Sequence, residues 1–356
     1  MGKLNCAIVG AGVMGRVMAL SLLSHKHQVT IFDAGRGLSL DSTSAQAGGM
    51  LAPFSEAEKS EPEVIEWGRR SLSLWPKLIT QLDREWKEIG YTQQGSLFIA
   101  HRRDFSLWQE AKAKIITLIS DKEWAECLTK DLEPELGARF DRAFFLKNEA
   151  HLNPHLFLKH SFDYLHDKVA AWHHASLQDI NSKNHEKLFN EFDWVIDCRG
   201  IAARKEMSGL RAVRGEALLV RAENVDLKRP IRFMHPRYGI YIVPYENQTF
   251  YIGATQIESA SNRNITVRST LELLSAAFAI DPSFAEAEIL DTRVGLRPAF
   301  PDHLPRLVQK NRIIQINGLF RHGYLLSPFL AEETLRLITT REPRGRHYHL
   351  PGANNA

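Results

Sequence analysis

Three glycines and one acidic residue near the amino terminus have the spacing of a nucleotide-binding turn. The segment LNCAIVGAGVMG places Gly10, Gly12 and Gly15 in a G-x-G-x-x-G pattern after an apolar run, and Asp33 ends the next apolar run, VTIFD. Such glycines permit a tight turn, close backbone approach to a pyrophosphate and packing of helix on strand. The helix N-terminus attracts phosphate, and the carboxylate accepts hydrogen bonds from ribose. We therefore predict a dinucleotide site, with a structural glycine turn as the alternative.

The identity of the dinucleotide depends on a second stretch. An acid at Asp33 disfavours a 2′-phosphate, so NADP is the least favoured, but the motif does not separate NAD from FAD. The segment STSAQAGGMLAP (42–53) is small, hydroxyl-bearing and glycine-rich. Such residues let the backbone approach a flat ring system and a second phosphate. A flexible loop is equally compatible with this composition.

Apolar periodicity predicts the elements that must position these residues. Residues 4–9 and 28–32 are predicted as strands around a helix over 13–24, and a second helix is predicted over 63–89 with a kink or break at Pro76. Further helices are predicted over 104–130, after Asn153–Pro154, in TLELLSAAFAI and near 328–340. Further strands are predicted in GSLFIA, RAFFLKN, FDWVIDCRG, EALLVRA, GIYIVPY, TFYIGATQ and RIIQING.

We predict an α/β fold in which a Rossmann-type, glutathione-reductase-like FAD-binding lobe carries an inserted, mostly antiparallel β-sheet substrate lobe. The predicted FAD-binding domain is discontinuous and comprises 1–80, 145–212 and 288–345. The predicted substrate-binding domain comprises 81–144 and 213–287. No repeat or low-complexity linker separates the lobes, so the chain is expected to cross between them more than once.

Composition excludes several classes of partner. The chain has 356 residues and a formal net charge of +3, with no basic block, so nucleic acid is not expected. No apolar stretch is long enough for a membrane span, and no signal peptide is expected, which favours a cytoplasmic protein. The three cysteines, Cys6, Cys127 and Cys198, are too scattered for a disulfide framework or a zinc site. His173 and His174 in AWHHAS are expected on a strand or the surface rather than as metal ligands.

Seven motifs in order give the chain a resemblance to a known family. They are the glycine motif, STSAQAGGMLAP, DWVIDCRG, YIVPY, YIGATQ, GLRPAFPDHLP and GLFRHGYLLSP. Together they resemble the flavoprotein family of D-amino-acid oxidases, and most of all its glycine oxidases of thiamine biosynthesis, over nearly the whole chain. The resemblance implies non-covalent FAD, because no cysteine lies near RPAFPDHLP to carry a covalent flavin.

The resemblance also assigns residues to the cofactor. Val13, Met14, Asp33 and Ala34 are expected at the pyrophosphate and adenosine, and Leu177 is expected on the adenine side. The residues expected beside the pyrophosphate and flavin are Thr43, Ser44, Gly48, Gly49 and Met50. Those expected along the flavin are Phe320, Arg321, His322, Gly323, Tyr324 and Leu325.

Three residues are candidates for the amino-acid site. A planar guanidinium meets a carboxylate with two parallel hydrogen bonds, and the family places such an arginine at Arg297 in VGLRPAF. The family uses the residue matching Tyr241 as a second carboxylate donor, and the residue matching Arg321 lies at the substrate and flavin edge. The alternatives are a structural ion pair for Arg297, a core tyrosine for Tyr241 and a surface arginine for Arg321.

The chemistry implied by the resemblance is hydride transfer from Cα of a neutral amine to flavin N5, with no side-chain base. Reoxidation by O2 would give hydrogen peroxide, and the imino acid would yield an oxo acid and ammonia or pass to a thiazole-forming enzyme. Two alternatives remain: a D-amino-acid or sarcosine dehydrogenase that uses a quinone or carrier, and an accessory flavoprotein acting on a protein or tRNA. A homo-oligomer is possible.

Departures from the family motifs leave the substrate open among glycine, sarcosine and small D-amino acids. Leu319 stands where the family often has histidine, Tyr245 replaces the arginine of VPR, and Gln256 adds a polar group. Cys198 and Arg199 stand where the family has small residues, at the strand that brings backbone near the cofactor.

Overall fold

A computed structural model describes residues 2–35, 37–180, 183–235 and 239–340. The βαβ unit is confirmed as β1 (Asn5–Val9), α1 (Val13–Ser24) and β2 (Gln28–Asp33). The elements that follow are β3 (Met50–Leu51), α2 (Pro62–Gln81), β4 (Ser96–Ala100), α3 (Phe105–Ile116), β5 (Trp124–Leu128), α4 (Thr129–Leu132), β6 (Arg142–Leu146), β7 (Ala150–His151), α5 (Pro154–Lys168), β8 (Ala171–His174), α6 (Lys183–Phe189) and β9 (Trp194–Asp197). The carboxyl-terminal part contains β10 (Arg211–Arg221), β11 (Ile231–Met234), β12 (Ile240–Tyr245), β13 (Thr249–Gly253), α7 (Val267–Ile280), β14 (Glu288–Ala299), β15 (Arg306–Lys310), β16 (Ile313–Asn317) and α8 (Gly323–Thr340).

Two large sheets organise the fold. The first has the strand order β15-β16-β9-β1-β2-β8 and is parallel except for the β15–β16 pair. The second has the order β14-β10-β13-β12-β11-β4-β6-β5 and is antiparallel except for β11 and β4. The chain passes from the first sheet to the second and back twice, as the absence of a linker predicted.

The predicted domain boundaries remain a prediction. β14 begins at Glu288, where the predicted FAD-binding segment 288–345 also begins, yet it pairs with β10 in the eight-stranded sheet over almost its whole length. β14 was not predicted as a strand. Its sequence, EILDTRVGLRPA, interrupts apolar residues with charged and small ones, so it lacks the continuous apolar run by which other strands were predicted.

Two helix predictions are corrected by the structure. The helix predicted over 63–89 continues through Pro76 and ends at Gln81, because Asp83 adopts a left-handed φ of +55° that no helix continues. The helix predicted over 104–130 ends at Ile116, and Trp124–Leu128 forms β5 instead. Pairing of β5 with β6 satisfies its backbone at the sheet edge and overrides the helical propensity of this charged segment.

The larger core joins the first sheet to α1, α2, α5 and α8. Trp75 of α2 is fully buried there and donates a hydrogen bond from Nε1 to the carbonyl oxygen of Tyr324 at 3.1 Å. Trp67 stacks on Phe329 with ring centroids 5.4 Å apart. These contacts anchor the start of α8, which begins at Gly323 rather than near residue 328 as predicted.

We predict that Gly15→Ala disrupts the βαβ unit. A Cβ at Gly15 would lie 1.9 Å from the carbonyl oxygen of Gly10, so α1 would have to move away from β1. Overpacking of this kind costs about 1–3 kcal/mol or more. The melting temperature, measured by circular dichroism, should fall by several degrees. Gly2→Ala is the control, because a Cβ there meets nothing within 4 Å; equal melting temperatures for both variants would contradict the packing argument.

A buried carboxylate makes the stability depend on pH. Glu149 precedes β7 and accepts hydrogen bonds from Phe54 N (2.7 Å), Ser55 N (2.6 Å) and the Ser96 hydroxyl. Burial raises its pKa from 4.5 to about 7 despite these donors. The folded protein therefore binds more protons than the unfolded chain between these two values, so stability falls as pH rises through this interval.

We predict that Glu149→Gln flattens this part of the pH profile. The amide oxygen can still accept from the two backbone N–H groups and the NH2 can meet Ser96, while no proton is bound or released. The free energy of unfolding, measured by urea titration from pH 4.5 to 7.5, should decline less with pH in the variant. An identical slope in both proteins would contradict the assignment.

Candidate active site

The glycine turn between β1 and α1 has the geometry that a pyrophosphate cradle requires. Gly10 has a φ of +96°, and a Cβ there would lie 2.8 Å from the carbonyl oxygen of Cys198. Asp33 at the end of β2 is buried, and its Oδ1 accepts from Ala11 N at 2.8 Å. Its Oδ2 accepts from Gly35 N and the Ser39 hydroxyl. The carboxylate is thus held beside the turn.

A cavity of about 400 Å³ extends from this turn to the eight-stranded sheet. The predicted cofactor residues that line it are Gly10, Gly12, Val13, Met14, Asp33, Thr43, Ser44, Gly48, Gly49, Met50, Phe320, Arg321, His322, Gly323, Tyr324 and Leu325. The predicted substrate residues Arg297 and Tyr241 line the same cavity. The structure therefore brings together segments that lie far apart in the sequence.

Three of the predicted cofactor residues do not line the cavity. Gly15 lies behind the turn, against Gly10 and Ile8. Ala34 is exposed after the end of β2. Leu177 is half-buried and packs on the cluster around Phe32. Their predicted contacts with the cofactor remain predictions.

The segment 42–53 is held in place by side chains that bind its carbonyl oxygens. The carbonyls of Ser44, Ala45, Gln46 and Gly48 accept, in that order, from Tyr324 Oη (3.0 Å), Arg293 Nη1 (2.8 Å), Tyr251 Oη (3.3 Å) and Tyr245 Oη (2.8 Å). Burial raises the pKa of each of these tyrosines, so the hydroxyls stay protonated and can donate. This geometry does not fit the alternative of a flexible loop.

The resemblance placed Tyr324 along the flavin, but the anchoring role of these four residues was not predicted from the sequence, although a signal for Tyr245 and Tyr251 exists. Tyr241, Val243 and Tyr245 alternate along β12, so their side chains share one face of the sheet with Tyr251 of β13. At the position where the family has arginine, Tyr245 thus donates a hydrogen bond to the segment 42–53, at the carbonyl oxygen of Gly48. Of the other departures, Leu319 lines the cavity, and Gln256 Oε1 lies 3.5 Å from Arg321 Nη1.

Arg297 projects from β14 across β10. A Cβ on Gly215 would lie 2.3 Å from Arg297 Nη2, so the guanidinium requires the glycine beneath it. Its Nη1 donates to the carbonyl oxygen of Thr255 at 2.9 Å. In the described part of the chain no carboxylate forms an ion pair with it. Burial, with repulsion from Arg321, lowers its pKa to about 10, so it remains a cation at neutral pH.

Arg321 lies close by, but it has a carboxylate partner. Its Nη2 donates to Glu56 Oε1 at 2.9 Å, and its guanidinium carbon lies 5.9 Å from the ring centroid of Tyr241. Burial alone would raise the pKa of Glu56, but the charges of Arg321 and Arg232 lower it below its usual range. Burial lowers the pKa of His322 to about 4, so this side chain is neutral at neutral pH. Sequence reasoning missed Glu56, because it lies in a polar segment without a motif.

Arg199, the departure in DWVIDCRG, is a buried bridge. Its guanidinium donates from Nε to Asp197 Oδ1 (2.8 Å) and from Nη2 to Asp197 Oδ2 (2.9 Å), and it pairs with Glu206 at 2.8 Å. Its Nη1 donates to the carbonyl oxygen of Leu177 at 2.9 Å. Glu206 in turn accepts from the backbone of Asp179 and Ile180. Arg199 therefore secures the segment 177–180 beside the cavity.

Further features of the described residues bear on other kinds of site. They include no group of three or more His, Cys, Asp or Glu side chains that could hold a metal ion. None of the helices that the structure describes combines the length and apolar content needed to cross a membrane. Cys6 and Cys198 are buried and Cys127 is half-buried, and all three are free thiols.

Comparison with known proteins agrees with this arrangement. The chain is 38% identical to a candidate thiamine biosynthesis oxidoreductase, ThiO, of Rhizobium etli, over 94% of this chain and 96% of the relative. It is 25% identical to the glycine oxidase of Geobacillus kaustophilus, over 96% and 94%. The crystal structure of glycine oxidase from that organism superposes with a TM-score of 0.79, covering 98% of this chain and 100% of the other at 23% identity. Residues 5–337 match the FAD dependent oxidoreductase family, DAO, and the chain therefore belongs to this family of FAD-dependent enzymes.

Proposed function

We propose that this FAD-dependent oxidoreductase oxidises glycine or another small amino acid or amine, with Arg297 holding the substrate carboxylate. The observation that carries the proposal is the Arg297 guanidinium, which lines the cavity without an ion pair to any described carboxylate. Arg297 is half-buried, and a cation partly removed from water without a counter-charge is energetically costly. A substrate carboxylate would supply the missing charge and accept two parallel hydrogen bonds.

The residues present fit FAD. A Cβ at Gly12 would lie 3.0 Å from the Ser44 hydroxyl. That hydroxyl accepts a hydrogen bond from Val13 N at 2.9 Å. A side chain at position 12 would therefore crowd the turn, and glycine leaves it accessible to a pyrophosphate. The N-terminus of α1 and the segment 42–50 would hold the pyrophosphate, and Asp33 would hold the ribose. Bound FAD would supply a two-electron acceptor for oxidation at Cα, and O2 is the proposed final acceptor.

The other tasks fall to side chains. Arg297 and Tyr241 would fix the carboxylate and thereby aim Cα, which is the main contribution that an orienting site makes to the rate. The four anchored carbonyls of 44–48 would keep the facing backbone rigid. The cavity needs no side-chain base, because the substrate amine enters in its neutral form. The relatedness to ThiO and glycine oxidase supports small amino acids as substrates, O2 as acceptor, and release of the product to thiazole synthesis in thiamine formation.

We predict that Arg297→Ala removes carboxylate recognition and leaves FAD binding intact. Loss of charge-assisted hydrogen bonds worth about 1.5–3 kcal/mol each should lower kcat/KM for glycine by roughly 100-fold or more. The effect on glycinamide, which has no carboxylate, should be small. Peroxide release and anaerobic bleaching of the flavin near 450 nm measure the reaction and separate an oxidase from a dehydrogenase.

Arg221→Ala is the matched control, because Arg221 lies on β10 and forms only an exposed pair with Glu288. An equal loss for glycine and glycinamide would show that Arg297 does not bind the carboxylate. A flavin that stays oxidised with glycine, sarcosine and D-alanine would refute the proposed function as a whole.

We predict that Arg199→Ala weakens FAD binding. The substitution leaves Asp197 and Glu206 without their shared cation and frees the carbonyl of Leu177, so the segment 177–180 should loosen beside the cavity. The dissociation constant, followed by recovery of FAD fluorescence, should rise about tenfold. Arg204→Ala is the control, since Arg204 is exposed in the same turn. Unchanged FAD affinity in Arg199→Ala would confine this bridge to a structural role.

A further inference from the structure

Three arginines line the cavity, Arg199, Arg297 and Arg321. Arg199 is paired with Asp197 and Glu206, and the other two, which belong to the proposed substrate site, differ in their partners. Arg297 donates a hydrogen bond to the backbone carbonyl of Thr255 and forms no ion pair with a described carboxylate. Arg321 donates to Glu56 Oε1 at 2.9 Å, and both side chains of this pair are mostly shielded from solvent. The two arginines are close enough for each to feel the other's charge. Only one of the two cations is therefore available to an incoming anion.

Glu56 is held where it meets Arg321. The segment before it is bound through Phe54 N and Ser55 N to Glu149. Arg232 donates to the carbonyl oxygen of Ser55 and to the carboxylate of Glu58. The Arg232 guanidinium is therefore engaged by Glu58. The Glu56 carboxylate accepts its hydrogen bond from the other nearby guanidinium, that of Arg321.

The charges that face the substrate end of the cavity can be counted. Arg297 and Arg321 each carry +1, Glu56 carries −1, and His322 is neutral at neutral pH. The sum is +1, which one carboxylate on a substrate with a neutral amine would balance. A second carboxylate would leave an excess negative charge next to Glu56, in a site where charges are poorly screened.

We propose that Glu56 restricts the substrate to a single carboxylate by occupying Arg321, which makes it a specificity-determining residue of this site. This inference rests on the proposed function, because it takes Arg297 as the group that binds the first carboxylate. Glu56 selects against dicarboxylates through repulsion and by removing the cation that would pair with the second charge.

The surroundings of the pair have room for a second carboxylate. A smaller cavity of about 130 Å³ adjoins the main one and shares Glu56, Phe320, Arg321 and His322 with it. It is also lined by Lys59 and His303. Volume therefore does not exclude a larger anion at Arg321, and charge is left as the selecting property.

The test compares two non-oxidisable ligands of nearly equal shape, diglycolate with two carboxylates and its monoamide with one. Their dissociation constants are measured on the FAD-loaded enzyme from the change in flavin absorbance, which requires no turnover. The wild type should prefer the monoamide. In Glu56→Gln, the ratio of the monoamide constant to the diglycolate constant should rise at least tenfold, because Arg321 becomes available to the second carboxylate.

Two variants isolate the cause. Glu58→Gln should leave the ratio unchanged, since Glu58 pairs with Arg232 and does not line the main cavity. The double variant Glu56→Gln/Arg321→Gln should return the ratio to the wild-type value, because the cation that Glu56 occupied is gone.

A ratio within twofold of the wild type in Glu56→Gln would overturn the proposal, as would an equal rise in Glu58→Gln. Failure of both ligands to bind to Glu56→Gln would overturn it as well. Failure of the proposed function would look different. In that case glycine, sarcosine and D-alanine would leave the flavin oxidised, while the ratio of the ligand dissociation constants would still shift in Glu56→Gln.

Discussion

The uncompensated charge of Arg297 is the constraint around which the cavity is arranged. A guanidinium partly removed from water needs hydrogen-bond acceptors, and among the described residues the protein supplies one, the carbonyl oxygen of Thr255. Gly215 gives the group its space, because any side chain at that position would collide with it. Arg297 also lines the cavity. Under the proposed function, a bound carboxylate would both be recognised by this cation and compensate its charge.

The strand that carries Arg297, β14, also holds the segment 42–53 in place. β14 contributes both Arg297 and Arg293, and Arg293 binds the carbonyl of Ala45 at 2.8 Å. β14 also accepts a hydrogen bond from Thr43 at the carbonyl of Leu296. The distance between the Arg297 guanidinium and the segment 42–50 is therefore set by one strand. A site built on strands holds its geometry better than one built on loops, and the proposed function, which relies on orienting the substrate, would depend on this.

The glycine turn between β1 and α1 could be predicted from the sequence for a physical reason. A turn with Gly10, Gly12 and Gly15 admits few backbone paths, so its geometry is local and can be read from residue types. The same holds for Asn153, which caps α5 with hydrogen bonds to His155 N and Leu156 N as its Asn-Pro start indicated. Arg297 and Tyr241 were assigned to the substrate by resemblance, and that assignment remains a proposal, because their sequence neighbours alone do not distinguish them from structural residues.

What could not be predicted from the sequence rests on pairings between distant segments. The role inferred for Glu56 depends on its ion pair with Arg321. The role of Arg199 depends on its ion pair with Glu206 and its hydrogen bond to the carbonyl of Leu177. The need for glycine at position 215 arises only from the pairing of β10 with β14, which brings Arg297 over it. β14 in turn could not be predicted, because it lacks an apolar run. Each of these residues is defined by a contact that folding creates. Arg199 is a departure from the family motif, so the resemblance assigns it no role, and only the contacts that folding creates reveal one.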